Sequence, residues 1–304
     1  MPPPLRIGLI GWGTVGSALG ALIETGPLPV ELVSVAVRDA ARERRRALPE
    51  GVRIGRPEAV DAVVELAGGV DGPLAWARET LEGGLPYVTA NKALLATHGD
   101  ELSGLARASH AALLGSASVG GGTPMIEMVE HLAATGEIES LRGIVNATTT
   151  YILSAMGEGR SYADALRAAQ GAGYAEADPS FDVEGRDAAQ KLAILASVAW
   201  GRWRGESKVD ASGIVGVAVQ PGETIRLVAE ATRERMRVEP MRLEPSSRLA
   251  EASGIENLLE VTVAGSTFRI SGPGAGGRVT AGAVYGDLAR LVAGERPILF
   301  GGAS

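Results

Sequence analysis

The sequence predicts an α/β fold, with a doubly wound parallel sheet in its first part and a second, α+β domain after it. Through residue 115, short apolar runs alternate with segments of helical periodicity, as in a parallel sheet covered by helices on both faces. Beyond the loop at residues 116–124 helices predominate and the later strands follow one another, which favours a mostly antiparallel sheet. We expect the first domain to span residues 1–117, completed by a C-terminal helix within residues 278–304, and the second to span residues 118–277.

Each element follows from its own pattern of apolar residues and breakers. In the first domain we predict strands at residues 5–10, 30–37, 62–66, 86–89 and 111–115, and helices at 17–24, 73–82 and from Lys92. In the second we predict helices near residues 124–135, 148–157, 161–172 and 183–200, and strands near 139–146, 236–243, 258–264 and 266–270. A final helix through Leu291 is expected to pack back on the first domain.

A glycine motif joins the first strand to the first helix. Residues 11–16 read Gly-Trp-Gly-Thr-Val-Gly, the Gly-x-Gly-x-x-Gly fingerprint in the strand-to-helix context that it requires. Gly11 allows the tight turn, Gly13 lets the backbone approach a pyrophosphate, and Gly16 lets helix and strand pack closely. The start of the helix, including Thr14 and Val15, then offers N–H groups to phosphate oxygens. We therefore predict a Rossmann-type domain that binds a dinucleotide.

The end of the second strand bears on which dinucleotide binds. An NAD site usually has an acidic residue there, which bonds the ribose 2′-hydroxyl. Arg38 stands in that place, and a guanidinium suits a 2′-phosphate by charge and by its fork of donors. We therefore favour NADP, while the adjacent Asp39 keeps NAD as the alternative. Four more arginines follow, of which at least two are expected on a solvated helix face: Arg42, Arg44, Arg45 and Arg46.

Three loops leave the carboxyl ends of the predicted parallel strands, where such folds bind their ligands. They are Gly68-Gly69, residues 89–92 and residues 116–124. Lys92 is therefore placed near the nicotinamide end of a bound cofactor. The alternative is a solvent-exposed lysine at the start of a helix, although a cation there opposes the helix dipole.

Residues 173–191 carry five acidic side chains ahead of an apolar run. Asp187 and Lys191 are four residues apart and share one face of a helix. A lysine held by a carboxylate can give a proton to a carbonyl oxygen that receives a hydride, but a surface ion pair has the same spacing. Without cysteine or Tyr-x-x-x-Lys, and with three scattered histidines, lysine remains the natural proton donor, with Lys191 and Lys92 as candidates.

Composition agrees with a cytoplasmic enzyme that acts on a small molecule. Its 29 basic and 36 acidic residues give a net charge of −7, which argues against nucleic acid as the main partner. The absence of cysteine excludes a disulfide framework and a thiolate nucleophile. We find neither a leader pattern nor an apolar run of membrane-spanning length.

Several stretches together resemble the homoserine dehydrogenase family nearly from end to end. The most specific are Thr-Ala-Asn-Lys at residues 89–92 and Gly-Tyr-Ala-Glu-Ala-Asp-Pro from residue 173. The others are residues 11–16, 117–124, 146–153 and 272–287. The resemblance implies NAD(P)-dependent interconversion of L-aspartate 4-semialdehyde and L-homoserine, within threonine and methionine biosynthesis. It also implies a homodimer formed through the sheet of the second domain.

The resemblance also implies roles for individual residues. Lys191 matches the catalytic lysine, and Lys92 matches a lysine beside both nicotinamide and substrate. Glu176 and Asp187 match the acids that hold the amino and hydroxyl end of the substrate, and Asp182 matches another acid of that site. The cofactor contacts expected in full, from the fingerprint, the loops and the resemblance, are Gly11, Gly13, Thr14, Val15, Gly16, Arg38, Gly68, Thr89, Lys92, Gly173 and Gly276.

The chain departs from the family pattern at three places. Ser116 replaces the glutamate that binds the family's monovalent cation, so that a cation held only by the carbonyls matching Val119, Gly121 and Thr123 is expected to be weak or absent. Ala147 and Thr150 replace a glycine and an asparagine, which puts the fit of the substrate pocket in question. The sequence ends at Ser304, so we expect a short form without a C-terminal amino-acid-sensing domain.

Two kinds of function stay open from the sequence. The first is an active homoserine dehydrogenase, or a related reductase of another small amino-aldehyde. The second is a cofactor-binding homologue that has lost catalysis and serves as a sensor or partner protein. The presence of Lys92, Glu176, Asp187 and Lys191 favours the enzyme.

Overall fold

The computed structural model describes residues 3–39 and 46–301, which form two compact units. The first unit contains the chain up to Gly122 and again from Ala275, and the second runs from Thr123 to Gly274. The strands are β1 Leu5–Ile10, β2 Val30–Ala36, β3 Arg53–Ile54, β4 Ala62–Glu65, β5 Tyr87–Thr89, β6 Leu113–Leu114, β7 Ile138–Ile144, β8 Val209–Ala211, β9 Ile225–Ala231, β10 Met236–Arg242, β11 Glu256–Val263 and β12 Ser266–Pro273. The helices are α1 Thr14–Thr25, α2 Asp71–Glu82, α3 Lys92–Ser109, α4 Met125–Thr135, α5 Ala147–Gly157, α6 Tyr162–Gly171, α7 Ser180–Val183, α8 Arg186–Ala199 and α9 Gly277–Val292.

The first unit is built on a six-stranded parallel sheet in the order β3-β2-β1-β4-β5-β6. The strand order reverses between β1 and β4, which makes the crevice beyond their carboxyl ends the expected ligand site. Ile7, Leu9 and Val64 are buried in its core, as in strands covered on both faces. The predicted doubly wound fold is confirmed.

The last helix of the chain belongs to this first unit. Ala281, Val284 and Leu288 of α9 are buried in the same core cluster as β1. A polar contact also joins α9 to this unit, since the buried Ser116 on the turn after β6 hydrogen-bonds to the buried Asp287 of α9. The first unit is therefore assembled from two segments that are far apart in the sequence.

The second unit is built on a six-stranded sheet in the order β12-β11-β7-β9-β10-β8. All its neighbours pair antiparallel except β8 and β10, so the prediction of a mostly antiparallel sheet is confirmed. The central strand β9 was not predicted. Arg226 and Glu230 interrupt its apolar pattern, yet Arg226 is buried and donates to the carbonyl oxygens of Ala252 and Ile225.

The helix predicted near residues 183–200 is α8, which begins at Arg186, and a separate short helix, α7, precedes it. Gly185 has φ +82°, a left-handed conformation that ends α7 and precedes the start of α8. The break gives α8 its own N-terminus, with Asp187 in its first turn. A carboxylate is favourable there because it faces the positive end of the helix dipole.

The structure in its described part contains no helix that is long and apolar enough to cross a membrane.

The glycines of the first turn give a matched test of packing. A Cβ on Gly16 would lie 2.3 Å from the carbonyl oxygen of Gly11, whereas a Cβ on Gly13 would have no neighbour within 4 Å. We expect Gly16→Ala to destabilise the protein by about 1–3 kcal/mol through overpacking, which outweighs the gain of up to about 1 kcal/mol that alanine brings to a helix. Calorimetry should show a lower melting temperature for Gly16→Ala and little change for Gly13→Ala. Equal melting temperatures would contradict the close packing of α1 on β1.

Candidate functional site

A cleft of about 1220 Å³ opens in the first unit beyond the carboxyl ends of β1, β2 and β4. Its walls include the fingerprint residues Gly11, Gly13 and Thr14, the loop at Gly68, and Arg38. The cleft is larger than the usual upper range for small-ligand pockets, about 1,000 Å³, and therefore has room for a dinucleotide.

The glycine turn is shaped to receive a phosphate. Gly11 has φ +100°, and a Cβ there would lie 2.9 Å from the backbone of Ala67, so the turn passes very close to the next loop. Gly13 precedes α1 and provides no side-chain cap, so protein side chains leave the first N–H groups of the helix available. Space is open around Gly13 and Gly68. Free N–H groups and open space at a helix start fit a pyrophosphate.

A buried carboxylate organises the loops that follow β4 and β5. Glu65 is fully buried and accepts hydrogen bonds from the N–H groups of Ala67 (2.7 Å) and Gly68 (3.0 Å) and from the hydroxyl of Thr89 (2.8 Å). The amide of Asn91 donates to the carbonyl of Gly69 (2.6 Å), which ties the two loops together. Sequence reasoning missed Glu65, although an acid that ends an apolar strand before Ala-Gly-Gly was the signal.

Lys92 begins α3 and is half-buried, with Asn91 as the N-cap that accepts from Leu94. The predicted cofactor contact Thr89 also supports the backbone, since its hydroxyl accepts from the N–H of Asn91 at 3.0 Å. These contacts fix the course of the chain into Lys92.

Arg38 is exposed and lines the cleft just after β2, and Asp39 lies beside it there. Arg46 also lines the cleft and pairs with Glu24 of α1, while its carbonyl accepts from the indole N–H of Trp12 at 2.9 Å. The remaining arginines of the predicted run lie outside the described residues: Arg42, Arg44 and Arg45.

The second unit contains a buried acid–lysine pair. The ammonium of Lys191 lies 2.8 Å from the carboxylate of Asp187 and donates to the carbonyl of Val145 at 2.6 Å. The side chains are only 14% and 7% exposed. The predicted shared helix face is therefore confirmed, and the alternative of a surface ion pair is wrong.

Asn146 connects this pair to a second carboxylate. Its amide nitrogen donates to Asp182 (2.7 Å) and to Asp187 (2.8 Å), and its amide oxygen caps α5 at the N–H of Thr149 (2.8 Å). The hydroxyl of Thr148 lies 2.9 Å from Asp182 and 2.6 Å from the carbonyl of Tyr174. Sequence reasoning missed this network, for which the only local signal was an asparagine just before a helix.

The two residues that depart from the family pattern, Ala147 and Thr150, both lie within α5. Thr150 is buried and its hydroxyl donates to the carbonyl of Asn146 at 2.9 Å. Ala147 is the first residue of α5.

Glu176 lies apart from this network on the loop between α6 and α7. It is exposed, and its backbone carbonyl accepts from Gln170 at 3.1 Å. Gly173, on the same loop, has φ +76°, and Gly276, which precedes α9 in the first unit, has φ +136°. Both glycines adopt conformations that other residues rarely take.

In the segment of the predicted cation site the glutamate of the family pattern is replaced by Ser116, and the carboxylate that contacts this position belongs to Asp287. The hydroxyl of Ser116 donates to Asp287 at 2.6 Å and its N–H donates to the same side chain at 3.1 Å. Val119 is buried and extended, Gly121 has φ +60°, and the hydroxyl of Thr123 donates to the carbonyl of Pro273 at 3.3 Å. Within the described residues no three His, Cys, Asp or Glu side chains are grouped to hold a metal ion.

Two family models match the sequence. The one described as homoserine dehydrogenase matches residues 124–289, and the one described as homoserine dehydrogenase, NAD binding domain, matches residues 11–114. A homoserine dehydrogenase of Corynebacterium glutamicum is 38% identical over 313 residues, which cover 93% of this chain and 70% of that protein.

Solved structures agree with the sequence matches. A homoserine dehydrogenase from Thiobacillus denitrificans has a TM-score of 0.86 and 31% identity, covering 95% of this chain and 73% of that one. A hyperthermophilic archaeal homoserine dehydrogenase in complex with NADPH has a TM-score of 0.83 and 26% identity, covering 97% and 99%. With matches over nearly its whole length in both sequence and structure, the chain belongs to the homoserine dehydrogenase family.

Proposed function

We propose that this protein interconverts L-aspartate 4-semialdehyde and L-homoserine with NADP or NAD, as a step of threonine and methionine biosynthesis. The observation that carries the proposal is the buried pair of Asp187 and Lys191, held by Asn146 in a chain of this family. The direct test is NADP- and NAD-linked oxidation of L-homoserine by the purified protein, with L-threonine and L-serine as controls. A protein that binds the nucleotide without turnover would instead be a sensor or partner homologue.

The residues of the cleft fit a dinucleotide. The N-terminal N–H groups of α1 and the open space at Gly13 and Gly68 would hold the pyrophosphate, with Gly11, Thr14, Val15 and Gly16 shaping the turn. When bound, the nicotinamide supplies or accepts the hydride. The other contacts that we propose from the family pattern are Thr89, Lys92, Gly173 and Gly276.

We propose Lys191 as the residue that moves the proton. During reduction its ammonium gives a proton to the aldehyde oxygen, and during oxidation the neutral amine takes the proton of the hydroxyl. Asp187 stabilises the ammonium and the carbonyl of Val145 orients it, since both accept from the same nitrogen. Lys92 is the second candidate for the proton donor.

We propose that carboxylates hold the substrate, because its ammonium needs a negative partner. Asp182 and Asp187 are fixed by Asn146, whereas Glu176 is exposed on its loop. The two fixed acids offer rigid acceptors, and Glu176 offers one that orders when the ammonium binds.

NADP is the proposed cofactor, with NAD as the alternative. Arg38 lines the cleft where the adenosine ribose is expected, and a relative of this family has been solved with NADPH. We further propose a cytoplasmic homodimer formed through the sheet of the second unit. That a monovalent cation binds weakly or not at all, through the carbonyls of Val119, Gly121 and Thr123, stays a prediction.

Removing the amine of Lys191 tests the proton-transfer role. Lys191→Met keeps the length of the side chain, and we expect turnover to fall by about 10²–10⁴-fold because general acid–base catalysis contributes that much. Cofactor affinity, followed by fluorescence titration, should stay within twofold. Arg167→Met, on the exposed face of α6, is the control. Unchanged turnover in Lys191→Met would transfer the role to Lys92.

Removing the guanidinium of Arg38 tests the choice of nucleotide. A charge-assisted hydrogen bond contributes about 1.5–3 kcal/mol, so Arg38→Ala should weaken NADP binding by about tenfold or more. NAD binding should change little, because NAD has no 2′-phosphate. Arg53→Ala, an exposed arginine on β3, controls for the loss of charge. Equal weakening of both nucleotides would mean that Arg38 does not contact the 2′ position.

Neutralising Glu176 tests its contact with the substrate ammonium. We expect Glu176→Gln to raise KM for homoserine by about tenfold, because a bond to a charged group is lost, with a smaller effect on kcat. Glu184→Gln removes an exposed carboxylate from the same unit and should leave KM unchanged. Steady-state kinetics at saturating cofactor decide the matter, and a KM within twofold of the parent would remove Glu176 from the substrate site.

A further inference from the structure

A second pocket, of about 360 Å³, lies in the second unit where the chain leaves α8. It is lined by the segment after α8, by β8 and by the turn between β9 and β10. Four of its lining side chains are cationic and two are acidic: Arg202, Arg204, Lys208 and Arg235, with Asp210 and Glu234. Positive charge therefore predominates in a protein whose net charge is −7.

In the described structure, neither acid forms an ion pair with Arg202, Arg204 or Lys208. Asp210 pairs with Arg235 at 3.3 Å, and Glu234 accepts from the hydroxyl of Thr232 at 3.2 Å. Among the described residues, no carboxylate lies within ion-pair distance of Arg202, Arg204 or Lys208. Three cations thus line one concavity without an ion pair among the described residues, although the carboxylates of Asp210 and Glu234 line it as well.

Arg204 shows the effect of this crowding. It is half-buried and lies over the ring of Trp200, 4.7 Å from its centroid. Burial lowers the pKa of its guanidinium, and the positive charges of Arg202 and Arg233 lower it further, while the negative charge of Glu234 partly opposes this. A negatively charged ligand would relieve that repulsion.

The dipole of α8 explains only part of the cluster. Arg202 and Arg204 follow its C-terminal end, where cations are favourable. Lys208 ends a separate 3-10 turn and Arg235 lies on the turn before β10. The helix accounts for neither of them; Arg235 pairs with Asp210, which leaves the position of Lys208 unexplained by any ion pair among the described residues.

We propose that this pocket is a binding site for a small phosphate-bearing molecule, separate from the substrate and cofactor residues described above. Guanidinium groups match phosphate oxygens in pairs, and an ammonium adds a compact charge. A phosphate monoester carries about two negative charges at neutral pH, which suits three unpaired cations. The volume lies at the lower end of the range for small-ligand pockets. A polymer such as nucleic acid is disfavoured by the negative charge of the whole protein.

Sodium pyrophosphate is the probe that tests the site. Titration calorimetry on the full chain should show binding that weakens with added salt. Arg202→Gln combined with Lys208→Gln should weaken it by about tenfold or more, because two charge-assisted contacts are removed. Both side chains are exposed, so the double variant is expected to fold. Amide hydrogen exchange locates the site, with protection by pyrophosphate expected in residues 202–210.

Two matched variants complete the experiment. Arg107→Gln with Arg160→Gln removes the same charge from exposed positions elsewhere and should bind as the parent does. Arg202→Lys with Lys208→Arg keeps the charge and should retain most of the affinity.

Three results would overturn the proposal. One is no binding of pyrophosphate at millimolar concentration, and another is protection that is confined to residues 11–16 or that the neutral double variant retains in residues 202–210. The third is tighter binding of a single-stranded oligonucleotide, lost in the same variant, which would assign the surface to nucleic acid.

Discussion

The second unit depends on one side chain, Asn146, that donates to two carboxylates at once, the buried Asp187 and the half-buried Asp182. Its amide nitrogen reaches Asp182 and Asp187, which are 36 and 41 residues further along the chain. Carboxylates taken out of water are costly unless donors surround them. With Asn146 in place, Asp187 accepts from an amide as well as from Lys191, and its position is fixed before any ligand arrives. The proposed proton transfer from Lys191 would therefore rest on a residue that need not touch the substrate.

The first unit follows the same principle with Glu65. This buried carboxylate collects two backbone N–H groups and the hydroxyl of Thr89, so it shapes two loops at the edge of the parallel sheet. In both units a buried acid accepts hydrogen bonds from neighbouring loop residues and so fixes their conformation. The cleft and the acid–lysine pair are thus supported by polar groups behind them, which rigidify a site when they are fully satisfied.

Local patterns in the sequence were enough for the parallel sheet, the glycine turn and the i,i+4 pair of Asp187 and Lys191. Each is a signal carried by neighbours along the chain, either periodicity or fixed spacing. What could not be predicted depends on distant partners. Strand β9 contains Arg226, whose buried guanidinium donates to the carbonyls of Ala252, which is distant in sequence, and of Ile225. The roles of Asn146 and Glu65 likewise come from contacts made after folding, and the left-handed Gly185 makes α8 begin three residues later than predicted.

The return of α9 to the first unit has a consequence for the order in which the protein folds during synthesis. The sheet of that unit is translated first, yet Ala281, Val284 and Leu288, which complete its core, and Asp287, which receives Ser116, come almost at the end of the chain. Until then the nascent first unit presents an uncovered apolar surface while the whole second unit leaves the ribosome. A chain released before residue 277 would therefore contain an unfinished first unit beside a second unit that has all its strands, a state in which chaperones have one defined surface to protect.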